Sequence, residues 1–171
     1  MARECVGNAA DRSLLEAVLD SCDRNNKILV NLLGMVPEGG LEARAMEGSP
    51  SVAQMLMHIH YVRLVFIEED APEFARAVPR EEWPTEHDRE RIEEMLNESA
   101  KAVSEAVENK IASGGEMKLH YDHPLLFLQH MIWHEGYHHG QIKLALKAAG
   151  QPINNGQAGT GTWRLWMNKT K

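Results

Sequence analysis

The residues with the most chemistry in this chain lie in HMIWHEGYHHGQI, His130 to Ile142. Three of its four histidines, His130, His134 and His138, fall four apart and so share one side of a helix. Imidazole nitrogens at i and i+4 suit a divalent cation, and His134, Glu135 and His138 also spell the H-E-x-x-H of zinc proteases. That protease reading needs a third ligand downstream. The long form of the motif wants Gly and His where this chain has Gln141 and Leu144, and residues 139–171 contain no Asp or Glu. The match therefore lacks its context. Glu135, about 100° round the helix from His134, reads as a helix-surface residue or a support outside the ligand set.

At about 100° per residue, His138 lies about 40° to one side of His134 and His130 about 40° to the other. Phe127, Ala145, Met131 and Ala149 share this arc, so His134 and His138 occupy the middle of an apolar face. Burying two imidazoles there is costly unless their nitrogens find partners. Core histidines bonded to backbone or water would be the plain alternative, but a metal ion satisfies both rings at once. His130, one turn nearer the helix start, reads as support or packing. Gln141, His130, Glu135 and Tyr137 are the candidates to brace such a site from outside. The third ligand must come from another helix. His58 and His60 flank Ile59 at about 100° on opposite sides, and periodicity leaves both open. His87, His120 and His123 sit at expected helix boundaries, as caps or exposed residues.

Four stretches could position these groups. Leu14, Leu15, Val18, Leu19, Cys22, Leu29, Leu32 and Leu33 mark a helix over 11–35. A second begins at Ser49-Pro50, a good capping pair, and turns Val52, Met55, Leu56, Ile59, Val62 and Phe66 inward. Pro72, Pro79 and Pro84 exclude a long helix from 71–86. Thr85 with Asp88 resembles a cap for the third helix, which Gly114-Gly115 ends. The fourth runs from His123-Pro124 to Gly150, and a tail over 151–171 carries Trp163 and Trp166. These elements predict an all-α antiparallel four-helix bundle over 1–150 with the tail packed on it, and bundles build metal sites between facing helices.

The net charge of -7 argues against nucleic acid as a partner. Residues 139–171 carry +5 against -12 for the remainder, which fits a basic tail on an acidic body. Cys5 and Cys22 form no disulfide framework, no leader-like apolar stretch opens the chain, and no run is long enough for a membrane span. A cytoplasmic protein is expected, with no membrane partner.

In order and context the chain resembles the DinB/YfiT-like family of four-helix metalloproteins. The resemblance rests on DRNN in the first helix, MVPEGG after it, SVAQMLMHI in the second helix and HEGYHHGQI in the fourth. The last is similar to the family's H-x-x-x-H-R-G-Q signature, with His139 where the family most often has Arg. The likeness covers Leu14 to Ala149. It implies a three-histidine metal site on His58, His134 and His138, and so selects His58 over His60. His139, at about 140°, is expected to face outward or toward a partner chain.

Three neutral imidazoles leave a coordination position open, the pattern of catalytic rather than structural sites. One divalent ion per chain, zinc or nickel first, could activate water for hydrolysis or steady a thiolate for transfer. The expected function is a metal-dependent enzyme of the thiol S-transferase or hydrolase type. Its expected partner is a small-molecule substrate such as a low-molecular-weight thiol, with Trp83 as a candidate rim residue. The alternative is a non-catalytic, metal-stabilised interaction or stress-response module. The resemblance also implies a homodimer.

Overall fold

The computed structural model describes residues 9–167, so Cys5, Lys169 and Lys171 lie outside the described residues. Five α-helices and three short 3-10 segments account for the regular structure, and no strand occurs among the described residues. The long helices are α1 (Ala9–Met35), α2 (Val52–Asp70), α3 (Arg89–Ser113) and α4 (Pro124–Ala148), and α5 (Asn155–Gly161) is short. No described helix is long and apolar enough to cross a membrane.

The helix starts show which of several capping residues wins. Ser51 begins α2: its hydroxyl accepts from the Gln54 amide at 3.2 Å while the Gln54 side chain accepts from the Ser51 amide at 3.0 Å. Ser49, the expected cap, instead closes the preceding turn onto Met46. Asp88, not Thr85, caps α3 by accepting from the amides of Glu90 and Arg91. His123 caps α4 through its ring, with Pro124 in the first turn, where no amide is missed. Gly114 ends α3 at φ 65°, a conformation that costs glycine least.

Helix α2 is the central element. It packs against both α3 and α4, while α1 closes on α3 and α4 from the other side. Its buried residues accordingly run round the helix, from Val52 and Ala53 through Met57, His58, Ile59 and His60 to Ile67. One core cluster joins Leu29, Leu32, Leu56, Ile59, Leu96 and Ile142; a second joins Ile67, Val103, Phe127, Leu128 and Met131. Each large side chain fully removed from water contributes roughly 1.5–3 kcal/mol. Leu14, assigned by periodicity to the buried stripe, is 64% exposed.

The approach to α4 is tied to the end of α2. Asp70, fully buried, accepts from the amides of Leu119 at 2.9 Å and His120 at 2.7 Å, and from the His120 ring at 2.8 Å. The segment after α4 lies on α1, where Asn31 donates to the Gly161 carbonyl at 2.7 Å and Arg24 reaches the Leu165 carbonyl.

Candidate metal centre

Helix α2 supplies His58, and α4 supplies His134 and His138 one turn apart. The three rings converge: His134 Nε2 lies 3.3 Å from His58 Nε2 and 3.1 Å from His138 Nε2, and all three ligand atoms fall within 4.8 Å of one another. The cluster could hold a metal ion. Two nitrogens bound at ~2.0–2.1 Å to one ion, at angles between 90° and tetrahedral, stand about 2.9–3.4 Å apart, and both short contacts fit. Hydrogen bonding fits less well. A neutral ring nitrogen carries either one proton or one lone pair, so His134 Nε2 can serve only one of its two neighbours.

The outer nitrogens of the rings differ in their surroundings. His58 Nδ1 faces the Glu82 carbonyl at 3.3 Å, a contact that keeps the proton on Nδ1 and turns the Nε2 lone pair inward. The Glu82 carboxylate stands 3.7 Å from the same nitrogen. His138 Nδ1 is buried without a partner. His58 and His138 are 6% and 4% exposed, whereas His134 is half-buried and marks the open side. Burial holds the rings uncharged, as ligands must be. It pushes His134 down to about 3, helped by the neighbouring His138 and His58 rings, and His138 down to about 4, helped by His58. His58 is lowered by burial too, against the pull of Glu82.

Trp83, carried by the segment between α2 and α3, stacks on His58 and meets His138 edge-on at 5.9 Å. The segment read as a connection with a candidate rim residue thus covers one side of the cluster.

The second histidine of α2 goes elsewhere. His60 Nδ1 meets the Met95 carbonyl of α3 at 2.7 Å and takes no part in the cluster. His123 caps α4, His87 is exposed and paired with Glu42, and His120 is held by Asp70.

The four bracing candidates separate. Gln141 donates to the Tyr137 hydroxyl at 2.8 Å, and the Tyr137 ring lies edge-on to His138 at 5.1 Å. His130 shares a 2.7 Å hydrogen bond with the Tyr121 hydroxyl, and its ring centroid is 6.3 Å from that of His134. Glu135 corrects the helix-surface reading: it is 2% exposed. Its carboxylate accepts from Arg63 Nε at 2.7 Å and from the second guanidinium arm at 2.8 Å, and Asn25 donates to it as well. Arg63 also donates to the Leu96 carbonyl at 2.8 Å and to Asn26 at 3.1 Å. Burial works against the Arg63 charge, and the Glu135 carboxylate outweighs it. This pair, next to His134 in sequence and five residues past His58, fixes α2 against α4. The signal for it was Arg63 itself, the one Lys or Arg in α2, with apolar Val62 and Leu64 on either side.

His139 also departs from expectation. Its Nε2 is buried without a partner, beside a cavity of about 110 Å³ lined by Asn25, Glu135, Trp163 and Trp166. It faces α1 and the tail rather than the outside.

With this geometry in place, comparison adds one finding. The family model described as "DinB family" matches residues 10–159. No curated protein and no solved structure matches the chain.

Proposed function

The chain belongs to the DinB family, and on that premise we propose that His58, His134 and His138 hold one divalent ion, zinc or nickel, between α2 and α4 of an antiparallel four-helix bundle. The single observation that carries this reading is the convergence of three ring nitrogens at 3.1 and 3.3 Å around His134 Nε2. Such an ion would supply Lewis acidity to a small molecule entering from the half-buried His134 side. The chain's own residues do the rest. Glu82 sets the His58 tautomer, and Trp83 shields one flank. The Arg63–Glu135 pair holds the two ligand-bearing helices in register. A low-molecular-weight thiol is the substrate class we favour, with transfer to an electrophile or hydrolysis as the reaction. The buried, unpaired thiol of Cys22 supports a reducing, cytoplasmic setting.

The test is elemental analysis of untagged protein followed by a thiol-conjugation assay. About one divalent ion per chain is expected, lost in His134→Ala and His138→Ala and retained in His60→Ala. Turnover that vanishes with the ion supports the enzyme. A loaded protein that turns over no thiol or ester, yet binds a partner saturably, supports the non-catalytic module. A chain that takes up no divalent ion overturns both.

A further inference from the structure

We propose that His130 meets the substrate on the open side of the ion, where its Nε2–H donates to a carbonyl oxygen, and that Tyr121 holds the ring for that task. This inference rests on the metal reading above. It adds a substrate class to it: the molecule that a thiol or water attacks there carries a carbonyl group.

The support for His130 starts at the end of α2. Asp70 accepts from the amides of Leu119 and His120, which fixes the backbone just before Tyr121. The Tyr121 hydroxyl then lies 2.7 Å from His130 Nδ1. Phe66 meets the Tyr121 and His130 rings edge-on, with centroids at 5.9 and 5.4 Å. The imidazole is thus held by a hydroxyl and an aromatic ring together.

The hydroxyl also decides which ring nitrogen carries the proton. Burial, with the Asp70 and Glu69 carboxylates nearby, holds the Tyr121 hydroxyl protonated well above its ordinary range. Its one hydrogen-bond partner among the described residues is His130. The phenolic hydrogen therefore goes to Nδ1, and a ring that accepts at Nδ1 carries its own proton at Nε2. His58 is set the other way round: the Glu82 carbonyl keeps its proton on Nδ1 and leaves Nε2 as a ligand. The same side chain is a ligand in one place and a donor in the other.

Position makes that donor useful. His130 lies one turn before His134 on α4, about 40° round from it. That is the side away from buried His138 and toward Trp133 and Tyr137, which are exposed. The His130 and His134 rings stand 78° apart, with centroids at 6.3 Å. His130 is itself half-buried, and its Nε2 bonds to no protein group and is not buried. A ring kept for packing alone needs neither a fixed proton nor a free nitrogen, and on this apolar face a leucine would fill the place.

Both reactions considered for the ion gather negative charge on a carbonyl oxygen. In hydrolysis it is the oxygen of the attacked ester. In thiol transfer to an electrophile conjugated with a carbonyl, the sulfur pair forms the S–C bond and the C=C π pair moves toward oxygen. The resulting enolate then takes a proton from water. An N–H already aimed where charge develops is worth most in such steps. Alkyl halides offer no such oxygen and would make no use of it.

The experiment uses the full chain loaded with cobalt, whose visible bands report the ligands on the ion, and acetate as the probe. Acetate can bind the ion by one oxygen and accept from His130 with the other. His130→Phe should weaken acetate about 10-fold or more, and Tyr121→Phe about 3-fold. His130→Gln, which restores an N–H, should recover most of the loss, with cobalt content unchanged throughout. In metal-free protein, ring ¹⁵N spectra should show His130 protonated at Nε2, with a shift toward Nδ1 in Tyr121→Phe. Equal acetate affinity in His130→Phe and wild type overturns the proposal, and so does a wild-type ring protonated at Nδ1. Loss of cobalt from His130→Phe overturns it too, because His130 would then act on the ligands and not on the substrate. A wild type that takes up no cobalt overturns this inference together with the metal reading, so the two failures are told apart. Should His130→Phe fail to fold, Tyr121→Phe and the ring spectra decide.

Discussion

Trp83 lies face to face on His58, with ring centroids 3.8 Å apart and planes 5° from parallel. The indole thus restrains the one candidate ligand that comes from α2, while Glu82 beside it fixes the same ring's proton. Groups that orient ligands in this way are worth about 10–100-fold in metal affinity. Trp83→Ala is therefore expected to weaken zinc binding about 10-fold in competition with a chelating dye, and Trp83→Phe to weaken it less. Equal affinity in all three proteins would reduce the stack to ordinary packing.

The Arg63–Glu135 pair is 3% exposed on both sides, so removing one partner leaves a buried charge without compensation. Glu135→Ala is expected to cost about 3–5 kcal/mol in urea unfolding, and the double replacement Arg63→Met/Glu135→Leu much less. A single-variant cost below about 1 kcal/mol, the range of exposed pairs, would contradict this placement.

His60→Ala separates the two histidines of α2. The variant loses the 2.7 Å bond to the part-buried Met95 carbonyl and the packing of a ring that is 3% exposed. A loss of about 1–3 kcal/mol in stability is expected, with metal content unchanged. His58→Ala should show the reverse pattern. If the two variants exchange these phenotypes, the assignment is wrong.

Acid should weaken the metal-free protein in a definite window. Folding holds His134 at about 3 and His138 at about 4, both below the ordinary 6.5. Between those values the unfolded chain binds more protons than the folded one, so stability falls as pH drops from about 6.5 toward 4. Urea midpoints in chelator at a series of pH values measure it, and the slope should shrink in His134→Ala. A midpoint that rises on acidification would contradict the burial of these rings.

The sequence carried some of this structure plainly. The 3.6-residue periodicity located the four long helices, and the i, i+4 spacing put His134 and His138 on one face. It could not choose between His58 and His60, and the reason is physical. A wheel presumes one wet side, whereas α2 is buried on most of its circumference and sends His58 to α4 and His60 to α3. Of the two readings of Glu135, the helix-surface one failed because its partner Arg63 lies 72 positions away, beyond anything a local pattern can express. The caps shifted by two or three residues because Ser49 and Ser51, and Thr85 and Asp88, compete over the same turns.

The anchor that Glu135 and Arg63 make has a consequence for the life of the cation. Small metal-organised domains collapse when stripped by a chelator, because the ion is what assembles them. Here the relative placement of the two ligand-bearing helices is set by a guanidinium and a carboxylate that never touch the ion. Stripping should therefore return an intact, empty receptacle, and reloading should follow the pace of diffusion and dehydration rather than that of refolding.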